Sequence, residues 1–157
     1  MTTPATTRAL QGALERHRGR PGALLPILHD LQDAVGHVPP QALPQIAKAL
    51  NLSRAEVHGV VTYYHHFRSE PAGARVMQVC RAESCRTMGG EALLEHARAR
   101  LGCSAEHPTA ADGAWTVEPA YCLGLCASSP AAMVGSRLHA RLTPERLDAL
   151  IDAEAAR

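Results

Sequence analysis

Four of the five cysteines form two tight pairs, Cys80-x4-Cys85 and Cys122-x3-Cys126, with 36 residues (86–121) between them. Thiolates are spaced this way where four soft ligands must converge. Two chemistries ask for that. A [2Fe-2S] cluster takes two thiolates on each iron and needs loops whose amides can reach the sulfurs. Structural zinc also takes four thiolates and accepts short separations within a pair. Spacing favours iron–sulfur over zinc and leaves both open. Thiol–disulfide exchange fits less well, because neither pair is the C-x-x-C of thioredoxin-like redox motifs. Chance placement of buried cysteines is the remaining alternative. In Cys122-Leu123-Gly124-Leu125-Cys126 the central glycine removes a Cβ where the chain must wrap closely.

Other reactive side chains contribute less. Cys103 follows Leu101-Gly102 at an expected helix end and reads as a small apolar filler. The nine histidines are scattered, and none stands in the Cys-x-His spacing of a Rieske centre. His65-His66 read as surface residues at a helix end. Arg81 and Arg86 flank the first cysteine pair; they suit either the negative charge of a cluster or a solvated loop. Tyr63-Tyr64 reads as helix packing. There is no general acid–base pair, no Ser/His/Asp arrangement and no glycine-rich phosphate loop. The chain is therefore expected to have no catalytic site of its own and not to bind NAD alone.

The elements that must position the thiols fall into two groups. Residues 1–68 read as a small helical bundle and residues 69–157 as an α/β domain, joined at the polar connector Ser69–Gly73. A first helix is expected over Ala5–Arg18. Leu24, Leu28, Leu31 and Val35 form one stripe of a second, with Pro26 tolerated in its first turn and Gly36 as its stop. A third spans about Gln41–Leu50. Ser53-Arg54-Ala55-Glu56 has the spacing of a capping box and opens a fourth through Val57, Val60, Val61 and Tyr64. In the second region, Arg75–Val79 is β-prone and ends at Cys80, and Glu91–Leu101 is helical. Trp115–Glu118 alternates as a strand towards Cys122. Ala131–Val134 and Leu138–Leu142 suit a hairpin around Gly135-Ser136, and Thr143-Pro144 opens a closing helix.

Bulk properties exclude several partners. Lys and Arg number 16 against 15 Asp and Glu, for a net charge of +1, and aromatic residues are 3% of the chain. Nucleic-acid binding would need clustered basic residues with aromatics to stack bases. No apolar run approaches the roughly 18–20 residues of a membrane span. Met1–Leu14 lacks the pattern of a secretory signal. The expectation is a cytoplasmic chain with reduced thiols and no membrane span.

Taken together, these residues resemble the small [2Fe-2S] subunit of the NADH-oxidising module of respiratory complex I, with relatives in NAD-reducing hydrogenases and NAD-dependent formate dehydrogenases. The likeness covers nearly the whole chain. It is carried by Leu24-Leu25-Pro26-Ile27-Leu28, Gly36-His37-Val38-Pro39 and Val57-His58-Gly59-Val60-Val61-Thr62-Tyr63-Tyr64. It continues through Val79-Cys80, Cys85, Cys122-Leu123-Gly124-Leu125-Cys126 and Pro130-Ala131. The resemblance implies an α+β protein, a helical region followed by a thioredoxin-like [2Fe-2S] ferredoxin domain. It also implies a cluster held at Cys80, Cys85, Cys122 and Cys126, standing off the main chain of redox centres, and a partner subunit that binds FMN and NAD. Tyr63 stands where relatives often carry Phe, and would add a hydroxyl to a packed site. The run Arg54–Phe67 with His65-His66, then Cys80-Arg81-Ala82-Glu83-Ser84-Cys85 and Met88-Gly89-Gly90-Glu91, most resembles the gamma subunit of soluble NAD-dependent formate dehydrogenase. That implies a molybdenum-containing formate dehydrogenase subunit in the same complex. The alternatives are the equivalent subunit of complex I or of an NAD-reducing hydrogenase, and, from another class, a zinc-stabilised adaptor without redox function.

Overall fold

The computed structural model describes residues 3–156. They divide into two compact units, Met1–Pro71 and Ala72–Arg157.

The first unit is helical: α1 (Pro4–Arg16), α2 (Leu24–Val35), α3 (Leu43–Leu50) and α4 (Arg54–Tyr63), with a 3₁₀ turn at Pro40–Ala42 before α3. Local chemistry sets the ends. The Ser53 Oγ accepts from the Glu56 N–H at 3.1 Å, and the Glu56 carboxylate accepts from the Ser53 N–H at 2.8 Å, so the capping box forms as expected. Gly36 leaves α2 at φ 81°, a left-handed turn that glycine adopts without strain. Leu28 and Leu31 of the expected stripe are fully buried, while Leu24 and Val35 lie at the margin of the core. Ile27, one position off that stripe, is buried beside them.

Gln32 is buried on the same helix. Its amide donates to the His66 carbonyl and accepts from the Arg68 N–H, both at 2.8 Å. The 66–68 segment thus satisfies the buried Gln32 amide and is held against α2 by it, because a buried polar side chain needs partners. The tyrosines depart from expectation: Tyr63 is 75% exposed and Tyr64 44%. The buried face of α4 is narrow, limited to Val57 and Val61, and Tyr63 lies off it. Tyr64 leaves the helix at φ −87°, ψ 102°.

The second unit is built on a four-stranded sheet of order β2-β1-β3-β4: β1 Arg75–Cys80, β2 Trp115–Ala120, β3 Ala132–Val134 and β4 Arg137–His139. β1 is central, parallel to β2 and antiparallel to β3. The parallel pair needs a crossover, which α5 (Glu83–Thr87) and α6 (Gly90–Leu101) supply. The closing helix α7 (Pro144–Ala155) begins at Thr143, whose Oγ1 accepts from the Arg146 N–H. Met77 and Val79 of β1 pack with Leu94, Val117, Leu147 and Ile151 into one core. The hairpin forms, with its second strand shorter than expected; Leu142 is buried outside it, donating its N–H to the Pro130 carbonyl. α5 is an element the apolar pattern did not announce. No helix of the described residues is long and apolar enough to cross a membrane.

Candidate metal centre

β1 ends at Cys80, and the two strands beside it bring the second cysteine loop to the same edge. Cys80 lies opposite Ala120 of β2, two residues before Cys122. On the other side the Cys80 N–H donates to the Ala131 carbonyl at 2.9 Å, five residues after Cys126. α5 then carries Cys85 back beneath the strand end. Cys80 and Cys85 are 2% and 3% exposed and pack with Ala131, Leu123 and Leu125. Cys122 and Cys126 are exposed, with their sulfurs 3.8 Å apart.

The two halves of the site therefore differ in environment. Burial pushes the Cys80 thiol up, but the Ala82 N–H, the Cys85 thiol and the Leu123 and Cys122 N–H groups pull it below the ordinary thiol value. Two of those donors belong to the second loop, so the loops are already aimed at each other. Burial raises the Cys85 thiol, as does contact with Cys80, and hydrogen bonds from the Ala131 N–H and the Ser129 hydroxyl only partly offset this. Contact with Cys122, followed by its charge, raises Cys126, and the charges of Cys85 and Cys80 act in the same direction. All four thiols thus share one electrostatic field.

The backbone of the second loop is shaped for this. Cys122 has φ 106°, a left-handed conformation that costs a non-glycine residue about 1–3 kcal/mol and persists where the surroundings impose it. Gly124, at φ 79°, reverses the chain and donates its N–H to Cys122 Sγ at 3.4 Å. Among the described residues, no three or more His, Cys, Asp or Glu side chains close around one point as a single metal ion requires. The thiols are organised as two pairs, with amide donors on their sulfurs. That is the donor set a two-iron cluster needs.

Gly90 brings α6 against this edge. A Cβ there would lie 2.7 Å from both the Cys80 and Cys85 carbonyl oxygens. Arg81 pairs with Glu91 of α6 at 3.1 Å, and Arg86 pairs with Glu83 at 3.5 Å, so both flanking arginines face carboxylates of their own unit. Cys103 lies elsewhere, against the main core, with its thiol directed to the Leu101 carbonyl. His66 belongs to a ring cluster with His29 and Phe67 in the helical unit. The residues missed by spacing alone are Ser84, Ser129 and Gly90, since only the folded loops bring them to the thiols.

A model of the thioredoxin-like [2Fe-2S] ferredoxin family matches residues 10–155. The chain is 36% identical over 144 residues to a subunit of the NADH-quinone oxidoreductase of Rhizobium meliloti (strain 1021), covering 92% of this chain and 85% of that one. It is 31% identical over 134 residues to a subunit of the NADH-quinone oxidoreductase of Thermus thermophilus, covering 85% and 74% respectively. Among solved structures, a chain of an NAD+-reducing [NiFe]-hydrogenase in the H2-reduced state superposes with a TM-score of 0.68 and 29% identity. That match covers 89% of this chain but 23% of the hydrogenase chain, so the matched region is less than a quarter of that longer chain.

Proposed function

Because the chain belongs to the thioredoxin-like [2Fe-2S] ferredoxin family, we propose that it is the electron-transfer subunit of an NADH-oxidising module. In this reading it holds one [2Fe-2S] cluster on Cys80, Cys85, Cys122 and Cys126, beside a partner subunit that binds FMN and NAD. The observation that carries the ligand assignment is the convergence of two thiol pairs at the end of β1, where Cys80 lies opposite Ala120 and donates its N–H to the Ala131 carbonyl, the two ends of the segment that holds Cys122 and Cys126. When bound, such a cluster supplies a one-electron couple next to a two-electron flavin.

The residues of the chain prepare the site for that role. Cys80 and Cys85 form a dry inner wall, where little water competes for their hydrogen bonds. The Ala82, Leu123, Cys122, Ala131 and Gly124 N–H groups are fixed dipoles that favour negative charge on sulfur. Cys122 and Cys126 form an exposed lip, the side on which a redox partner gains close approach. A cytoplasmic setting, where thiols stay reduced, suits this ligand set.

Within the family we assign the chain to a soluble NAD-dependent formate dehydrogenase, with a molybdenum-containing subunit in the complex. The support is the run Arg54–Phe67 together with Cys80–Cys85 and Met88–Glu91. Similarity to NADH-quinone oxidoreductase and hydrogenase chains keeps the equivalent subunits of complex I and of an NAD-reducing hydrogenase as the competing assignments. NAD reduction by the native complex, with formate, hydrogen and quinone-linked substrates compared, separates the three: activity driven by hydrogen but not by formate would reject the formate assignment.

The ligand set has its own test. Cys122→Ser should bleach the visible spectrum and remove iron and acid-labile sulfide, whereas Cys103→Ser should leave both intact. An unchanged spectrum in the Cys122 variant overturns the ligand set, and one zinc per colourless wild-type chain overturns the cluster.

A further inference from the structure

The outer cysteine pair has a second chemistry open to it. Cys122 and Cys126 are exposed, with their sulfurs 3.8 Å apart. A disulfide holds its sulfurs at about 2.05 Å, so the two need to close by roughly 1.8 Å. Side-chain rotation and a small tightening of the loop cover that distance. The loop has room to tighten at Gly124, which stands between them at φ 79° with nothing within 4 Å of where a Cβ would lie. Cys126 is the anchored end. Its carbonyl oxygen lies 2.9 Å from the Ser84 Oγ and 2.7 Å from the Ser129 Oγ, and the two hydroxyls stand 2.6 Å apart. Cys122 is thus the sulfur that travels.

The other three thiols are withheld from such chemistry. Cys80 and Cys85 are 2% and 3% exposed. An incoming disulfide must bring its own sulfur into line with the attacking one, and a buried thiol denies it that approach. Cys103 is half-buried, with its thiol directed to the Leu101 carbonyl.

We propose that, in the chain before its cluster is seated, Cys122 and Cys126 are a thiol–disulfide exchange site, which low-molecular-weight disulfides convert to a Cys122–Cys126 bond. That bond withholds two ligands from the cluster, and reducing thiols return them. The withholding rests on the ligand reading above; the exchange does not.

The reaction balances in two steps. One outer thiol gives its proton to water, and its sulfur attacks the reagent RS–SR. A mixed disulfide forms on the protein, the RS–SR bond breaks, and RS− leaves and takes up a proton. The second outer thiol loses its proton in turn and attacks the protein sulfur of the mixed disulfide, which forms the Cys122–Cys126 bond and expels the second RS−. Two protein thiols are oxidised and one small disulfide is reduced to two thiols. The second step is intramolecular between neighbouring sulfurs, so it outpaces capture of another reagent molecule. The product is exposed, so a reducing thiol can reverse it, and its sulfurs are kept from the irreversible sulfinic and sulfonic states.

The test uses the full-length chain made in iron-depleted cells and incubated with oxidised glutathione. Free thiols are counted and the disulfide is mapped by mass spectrometry. The count should fall from five to three, with Cys122 and Cys126 joined, and dithiothreitol should restore it. In Cys122→Ser the reaction should stop at one glutathione adduct on Cys126, because no second thiol displaces it. The oxidised chain should assemble no cluster from iron and sulfide until dithiothreitol is added. A count that stays at five overturns the proposal, as does a bond at Cys80, Cys85 or Cys103, a crosslink between chains, or cluster assembly on the oxidised chain. Trp115, buried in the second unit, reports by its fluorescence whether the cluster-free chain is folded. If it is not, an iron chelator withdraws the cluster from loaded protein in the presence of oxidised glutathione, and the same count and map decide. The ligand reading fails separately: it falls if loaded Cys122→Ser keeps its visible spectrum, a result that leaves the thiol count of the wild-type chain untouched.

Discussion

Replacing Gly90 with alanine sets one added carbon against three backbone atoms. The new Cβ would meet the Cys80 and Cys85 carbonyl oxygens at 2.7 Å and the Cys85 carbonyl carbon at 2.9 Å. Comfortable contacts begin near 3.5 Å, so the two cysteine segments must retreat from α6 by roughly 0.5 Å or more. Neither can do so freely: Cys80 is pinned into the sheet by its bond to Ala131, and Cys85 sits in α5 behind the Ser84 contacts. Overpacking of this kind costs about 1–3 kcal/mol. The gain in helix propensity on going from glycine to alanine offsets at most about 1 kcal/mol. Because Gly90 is the first residue of α6, only part of that gain is realised, and the net loss is about 1–2 kcal/mol, or roughly 4–8 °C in Tm for each kcal/mol in a domain of this size. The chain has a single tryptophan; Trp115 is buried in the sheet of the second unit, so its fluorescence during urea unfolding reports that unit. Gly59→Ala serves as the control. It lies in α4 with nothing within 4 Å of the new carbon, and should stabilise its helix by about 0.5–1 kcal/mol. If Gly90→Ala unfolds at the wild-type urea midpoint or above it, the close approach of α6 to the thiol loops is not what the structure describes.

Two further predictions concern the helical unit. Gln32→Leu keeps the volume of the side chain but removes its hydrogen bonds to the His66 carbonyl and from the Arg68 N–H. At about 0.5–1.5 kcal/mol for each hydrogen bond lost, it should cost roughly 1–3 kcal/mol by circular-dichroism unfolding and speed amide exchange at Arg68; wild-type stability would refute the bridging role. Asp30 is held below its ordinary carboxylate value by hydrogen bonds from Arg16 and then from His17. A lowered folded-state value means that the unfolded chain binds the proton more readily, so stability rises with pH. The contribution is complete above the ordinary value of 3.8 and is lost as the pH falls through the lower folded-state value. Asp30→Asn should flatten the acid limb of the stability profile over that range, by a modest amount because Arg16 and Asp30 are partly solvated; an acid limb as steep as wild type would show that Asp30 does not supply it.

Elements with strong local signals were legible in the sequence. The capping box at Ser53, the glycine stop at Gly36, the strand ending at Cys80 and the Thr143-Pro144 start all depend on residues within one or two turns of each other. The thiol pairs were legible for a similar reason: each pair is local, and only their meeting is not. α5 was not legible, because Glu83–Thr87 is five residues long and has no apolar period; tertiary contacts hold it. Gln32 looks like a solvent-facing polar residue until the 66–68 segment is laid beside it. The outward turn of Tyr63 follows from where the narrow buried face of α4 lies, which composition does not reveal. Ser84 and Ser129 are 45 residues apart, and nothing in either neighbourhood announces the other.

The register of the central strand has a consequence for how this chain tolerates insertions and deletions. Because Cys80 is opposite Ala120 and bonded to Ala131, the sheet acts as a ruler that measures chain length to each thiol. One residue added at Tyr121, or between Cys126 and Ala131, displaces a sulfur by a full residue step of roughly 3.3 Å, more than a metal–ligand bond can absorb. The exposed turn at 105–107, between α6 and β2, carries no such measure, and its length can drift without moving any thiol. Variation among such chains, and any peptide tag placed by an experimenter, belongs there.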